Sequence, residues 1–100
     1  MGKFQKDTEK LLEYIGGKEN ISAVSHCVTR MRFVLNDPKK AEVEKIEDLK
    51  SVKGSFTQAG QFQVIIGNEV ADFYKEFTKI SGIEGVSKEQ AKSASKKNQN

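Results

Sequence analysis

The stretch Arg30-Met31-Arg32-Phe33-Val34-Leu35-Asn36 alternates in character, with Met31, Phe33 and Leu35 on one side and Arg30, Arg32, Val34 and Asn36 on the other. A period of two with one apolar face marks a β-strand laid against a core. A weaker strand precedes it at residues 21–27. There Ile21, Ala23, Ser25 and Cys27 share one face, and Ser22, Val24 and His26 share the other. Val28 and Thr29 then fall in or beside the connection between two strands.

The flanking sequence supplies what must cover such a pair. Starting from Phe4, residues Leu11, Leu12 and Ile15 lie on one helical face, and Gly16-Gly17 provides a left-handed stop. After the turn Asn36-Asp37-Pro38, residues Val43, Ile46, Leu49 and Val52 recur every three positions as a second helix face. Asp37 or Glu42 could cap it. Residues 56–58, Ala59-Gly60 and residues 61–66 read as a β-hairpin in which Phe62, Val64 and Ile66 alternate with Gln61, Gln63 and Ile65. Asn68 is suited to cap a third helix whose buried face is Val70, Phe73, Tyr74, Phe77 and Ile80, ending at Gly82. The order α-β-β-α-β-β-α predicts an α+β fold, a four-stranded antiparallel sheet with three helices packed on one face.

Composition narrows the function. One hundred residues suit one small domain, assigned to residues 1–86, and no apolar run reaches the length of a membrane span. The first residues lack the apolar core of a secretion signal, and one free thiol fits a reducing compartment, so a soluble cytoplasmic domain is expected. The formal charge of +3 resides wholly in residues 88–100, which hold four lysines and one glutamate; residues 1–87 carry 13 basic and 13 acidic side chains. A body without basic excess argues against nucleic-acid binding. Residues 87–100 are polar and lysine-rich with no apolar periodicity, as in a flexible linker.

The chemistry concentrates in Ser25-His26-Cys27-Val28-Thr29-Arg30-Met31-Arg32. Cys27 is the only cysteine, so neither an internal disulfide nor a dithiol redox pair can form. His26 is the only histidine, and two neighbouring residues pointing to opposite faces of a strand make no zinc site. A cysteine phosphatase would place an arginine six positions after its nucleophile, where this chain has Phe33. What remains is a thiol with guanidinium groups three and five residues on. Guanidinium favours the thiolate and can hold a phosphate through paired N–H···O bonds. Arg30 and Arg32 sit about 7 Å apart on one strand face, a spacing that suits two sides of one phosphate. A cysteine that carries a phosphoryl group is the reading; the plain alternative is a structural domain with a buried cysteine, distinguished by thiol accessibility.

The stretch Cys27-Val28-Thr29-Arg30-Met31-Arg32 resembles the Cys-x-Thr-Arg-[Leu/Met]-Arg signature of the IIB domains in the glucose and sucrose family of bacterial sugar phosphotransferase systems. The resemblance runs from about Leu11 to Ile80 and includes Glu19-Asn20-Ile21 and the hairpin ending Gly60-Gln61-Phe62-Gln63-Val64-Ile65-Ile66-Gly67. Val24-Ser25-His26-Cys27 and Val52-Lys53-Gly54-Ser55-Phe56-Thr57 look most like trehalose-specific members, although sucrose-specific members share Ser-His-Cys. The resemblance implies that Cys27 takes a phosphoryl group from a phosphohistidine on a glucose-type IIA domain. It would then pass that group to the 6-hydroxyl of a sugar held by a membrane IIC domain, with no metal or cofactor. Arg30 and Arg32 would offset the charge, Thr29 or turn amides would donate hydrogen bonds, and His26 and Val28 would complete the active-site turn. Trehalose is the implied sugar, with sucrose or another glucoside, or a regulatory IIB-like module, as alternatives. Residues 87–100 would lead into the IIC domain, placing the chain at the cytoplasmic face of the bacterial membrane.

Overall fold

A computed structural model describes residues 2–83. Helix α1 (Gln5–Ile15) leads through a 3-10 turn to strands β1 (Ile21–His26) and β2 (Arg30–Leu35). Helix α2 (Val43–Glu47), strands β3 (Gly54–Gln58) and β4 (Gln61–Ile65), and helix α3 (Val70–Ser81) follow. The four strands form one antiparallel sheet in the order β1-β2-β4-β3. Helix α1 packs against both α2 and α3, α3 lies on β1 and β2, and α2 lies on β3. The expected α+β architecture is the one found. Among the described residues no helix is long and apolar enough to cross a membrane. The linker expected at residues 87–100 lies outside the described residues.

Burial, not capping, docks the helices. None of the three makes a side-chain N-cap hydrogen bond, an interaction typically worth about 1 kcal/mol. By contrast Phe33, Phe73 and Phe77 are completely buried, and each such side chain contributes roughly 1.5–3 kcal/mol. Phe33 of the sheet meets Phe77 of α3 edge-on at 5.3 Å, and Phe4 ahead of α1 meets Phe73 at 5.5 Å. Met31, Val64, Leu11, Ile15 and Ile46 fill the rest of the layer between sheet and helices.

Four expectations are corrected. A β-bulge interrupts β1, because Ile21 pairs with Leu35 but Ala23 already pairs with Val34. The extra residue, exposed Ser22, swaps the faces, so Ile21 and Val24 enter the helix-covered core together. Ala23 and Ser25 lie on the opposite face, opposite Val34 and Arg32. Helix α2 is short, and Val43 stays 42% exposed while Ile46, Leu49 and Val52 are buried. Beyond its end, Asp7 accepts from the Ser51 amide at 2.9 Å and its hydroxyl at 2.6 Å, tying the segment after α2 to α1. Of the two cap candidates Glu42 holds the N-cap position of α2, though without a side-chain bond, and Asp37 instead accepts from the Lys39 amide at 3.1 Å in the preceding 3-10 turn. Asn68 does not cap α3 either; Glu69 holds that position, and its carboxylate meets Lys3 at 2.6 Å.

The sheet's two ends are fixed differently. At one end buried Asn20 donates to the Ile15 carbonyl at 2.7 Å and the Asp37 carbonyl at 3.0 Å, and accepts from the Asp37 amide at 2.7 Å. One amide side chain thus joins the end of α1 to the exit of β2. The β3–β4 hairpin closes through Ala59 and Gly60, both with positive φ (54° and 77°), the turn that matches strand twist. At the other end lies the β1–β2 turn that carries Cys27.

Candidate functional site

The turn from Cys27 to Arg30 is closed by the Cys27 amide donating to the Arg30 carbonyl at 2.9 Å. It is also anchored from behind. The Thr29 carbonyl accepts from both the Ile66 and Gly67 amides, at 2.9 and 2.8 Å, where β4 gives way to α3. That bond pair depends on β4 lying beside β2, a non-local pairing. Val28 forms the tip and is 82% exposed.

The turn aims its donors at the sulfur. Cys27 is half-buried, which pushes its thiol up, but the Arg32 side chain and the Thr29 and Arg30 amides favour the anion and more than offset this. With the added field of the guanidinium the thiol is held at about 7, below the ordinary range. Alkylation of native protein is therefore expected to accelerate through a midpoint near pH 7 as the thiolate forms, and to level off above it. A midpoint in the ordinary range of about 8.5 would mean that the turn does not stabilise the anion.

The two arginines occupy one face and do different things. Arg32 favours the thiolate of Cys27, and its Nη1 donates to the Gln61 Oε1 at 3.3 Å. Its Nε is buried without a partner, as is the hydroxyl of its cross-strand neighbour Ser25. Arg30 instead crosses β4, donating from Nη1 to the Gln63 Oε1 at 3.2 Å, with its guanidinium 5.0 Å above the Phe56 ring. Gln61 and Gln63 are both buried. Sequence reasoning assigned them only to the polar side of a strand and gave them no role. Glutamine at two successive positions on that side was the available signal. His26 turns to the helix-covered side, stacked on Tyr74 at 4.5 Å between ring centroids. Among the described residues no three histidine, cysteine or carboxylate side chains gather as a metal site.

Comparison with known proteins fits this geometry. The family described as phosphotransferase system, EIIB matches residues 9–42, which include the turn and both arginines. The "PTS system trehalose-specific EIIBC component" of Escherichia coli (strain K12) is 51% identical over 94 residues, 94% of this chain and 20% of that protein. The component of the same name from Bacillus subtilis (strain 168) is 46% identical over 101 residues, 100% of this chain and 22% of that protein. A "PTS system sucrose-specific EIIBC component" from Staphylococcus xylosus is 39% identical, over 97% of this chain and 20% of that protein. The chain thus spans about a fifth of the length of the curated relatives it matches. A crystal structure of one domain of the PTS system IIabc component from Clostridium difficile superposes with a TM-score of 0.75 at 30% identity, covering 85% of this chain and 88% of that one. With sequence, fold and nearly the full length of a solved domain in agreement, the chain belongs to the EIIB family of the sugar phosphotransferase systems.

Proposed function

We propose that this domain is a phosphoryl carrier whose Cys27 accepts a phosphoryl group from a phosphohistidine on a glucose-type IIA domain and passes it to a sugar held by a membrane IIC domain. The observation that carries the reading is the closed turn that sets Cys27 beside Arg30 and Arg32 on one sheet face, where Arg32 and two turn amides hold the thiol down to about 7. In the first step the thiolate attacks phosphorus, the N–P bond breaks, and the histidine nitrogen keeps the electron pair. In the second the 6-hydroxyl oxygen attacks, the S–P bond breaks, and the sulfur leaves as thiolate while the hydroxyl proton passes to a base at the sugar site. A lowered thiol pKa serves both steps. It keeps the nucleophile ionised and makes the leaving group stable.

Phosphoryl transfer depends chiefly on positioning and on offsetting charge. Arg32 holds the thiol down, and its buried Nε makes no hydrogen bond among the described residues. Arg30, held by Phe56 and Gln63 on the same face, would offset charge on the transferring group as it moves towards the sugar. Thr29 contributes through its amide. Identity to the trehalose-specific relatives at 51% and 46%, above the 39% of a sucrose-specific one, favours trehalose as the sugar and trehalose 6-phosphate as the product. The relatives' EIIBC names support a covalently joined IIC domain, which would hold this domain at the cytoplasmic face of the membrane.

Incubation with a phosphorylated glucose-type IIA domain is expected to raise the intact mass by one phosphoryl group, located on Cys27. Joined to a trehalose-type IIC domain in vesicles, the phosphorylated protein should then yield trehalose 6-phosphate in preference to sucrose phosphate. No uptake of phosphate would overturn the carrier reading; a preference for sucrose would overturn the choice of sugar.

A further inference from the structure

His26 and Tyr74 lie behind the turn, on the side away from the phosphoryl-accepting sulfur, and no step described above uses them. In a four-residue turn the amide of the last residue ordinarily bonds the carbonyl of the first, which here would join Arg30 to Cys27. Among the described residues only the reverse bond is made, from the Cys27 amide to the Arg30 carbonyl at 2.9 Å, and the Arg30 amide favours the thiolate instead. That leaves the Cys27 carbonyl in need of a donor. The His26 Nδ1 stands 3.0 Å from it, and because a carbonyl only accepts, Nδ1 carries the proton. The imidazole is in turn seated on the Tyr74 ring, 4.5 Å between centroids and tilted by 49°. Tyr74 is tied to the same strand by its hydroxyl, 3.4 Å from the Val24 carbonyl.

We propose that His26 and Tyr74 are positioning residues: the histidine takes over the turn bond that the Arg30 amide gives up, and the tyrosine ring fixes the histidine's orientation. The proposal rests on Cys27 being the phosphoryl acceptor for its purpose, but not for its geometry. Holding the peptide between Cys27 and Val28 in place frees the Thr29 and Arg30 amides to face the sulfur, before and after it carries phosphate. Tyr74 reads from the sequence as one more aromatic of the α3 core stripe. It is only half-buried, whereas Phe73 and Phe77 beside it are fully enclosed, so its ring is open to the imidazole.

Four variants test this by two readouts, the pH midpoint of Cys27 alkylation and the rate of phosphate uptake from the IIA donor. His26→Phe keeps a ring on Tyr74 but removes the donor. Tyr74→Leu removes the platform. Each is expected to raise the alkylation midpoint by about 0.5–1 pH unit and slow uptake about five- to tenfold, the size of one lost hydrogen bond. His26→Asn, which restores an N–H near the Nδ1 position, and Tyr74→Phe, which keeps the ring, should recover most of both losses. Thermal melts guard against unfolding as the cause. Unchanged midpoints in His26→Phe and Tyr74→Leu, or equal losses in His26→Phe and His26→Asn, would overturn the proposal. If the parent takes up no phosphate yet the midpoints move in this pattern, the carrier reading falls and the positioning role stands.

Discussion

Cys27→Ser is expected to give a folded protein that takes up no phosphate from a phosphorylated IIA domain. The fold should survive because Cys27 lies outside the hydrophobic cluster and is only half-buried. An oxygen in place of the sulfur can still accept from the surrounding N–H groups. Chemistry is lost for two reasons. The donors that bring a thiol down to about 7 leave an alcohol almost wholly protonated at neutral pH, because it starts several units higher, and a hydroxyl without an adjacent general base is a poor nucleophile. His26, the one histidine, faces the other side of the strand against Tyr74 and is not placed to act as that base. Even a phosphoserine formed slowly would be a stable ester with an alkoxide leaving group, so sugar transfer would stop there. Intact mass after donor treatment, with circular dichroism to establish folding, measures both parts. Phosphate retained by the serine variant, or mapped to His26 in the parent, would place the acceptor elsewhere.

The candidate site was legible in the sequence where its parts are local and obscure where they are not. Cys27, Arg30 and Arg32 could be read together because five residues and one turn connect them. The period of Met31, Phe33 and Leu35 decided which way the arginines point, and the structure has them there. The partners of those arginines come from β4 and β3, and nothing in a chain of two hairpins states that β2 and β4 are neighbours. Gln61, Gln63 and Phe56 therefore entered only with the sheet order. The bulge at Ser22 is hidden in the sequence for a related reason. Ile21, Ala23 and Ser25 alternate acceptably as a regular strand, and only the register against β2 reveals the extra residue. The tie between Asp7 and Ser51, 44 positions apart, is likewise one that no local pattern can register.

Replacing either arginine with lysine is expected to leave the fold intact and to lower sugar phosphorylation about 10²–10³-fold, the usual loss when one aimed donor is removed from a group-transfer site. The two variants should nevertheless differ, because the arginines are held differently. Arg32 is the side chain that holds the thiol down. Lysine there keeps a charge but not the planar fork that serves Cys27 and Gln61 together, so Arg32→Lys should also raise the alkylation midpoint of Cys27. Arg30 touches Gln63 and the Phe56 ring instead. Lysine cannot lie flat on that ring or present two parallel N–H groups, so Arg30→Lys should lose sugar transfer while the thiol midpoint stays near 7. Acceptance of phosphate from the IIA domain should fall less in both, because the donor domain can bring stabilising groups of its own. Measuring the thiol midpoint, phosphate uptake and sugar phosphorylation separately in each variant, joined to the IIC domain, resolves these roles. Near-normal sugar transfer in both would reduce the arginines to surface charges and leave Cys27 without a clamp. A raised midpoint in Arg30→Lys but not in Arg32→Lys would reverse their assignment.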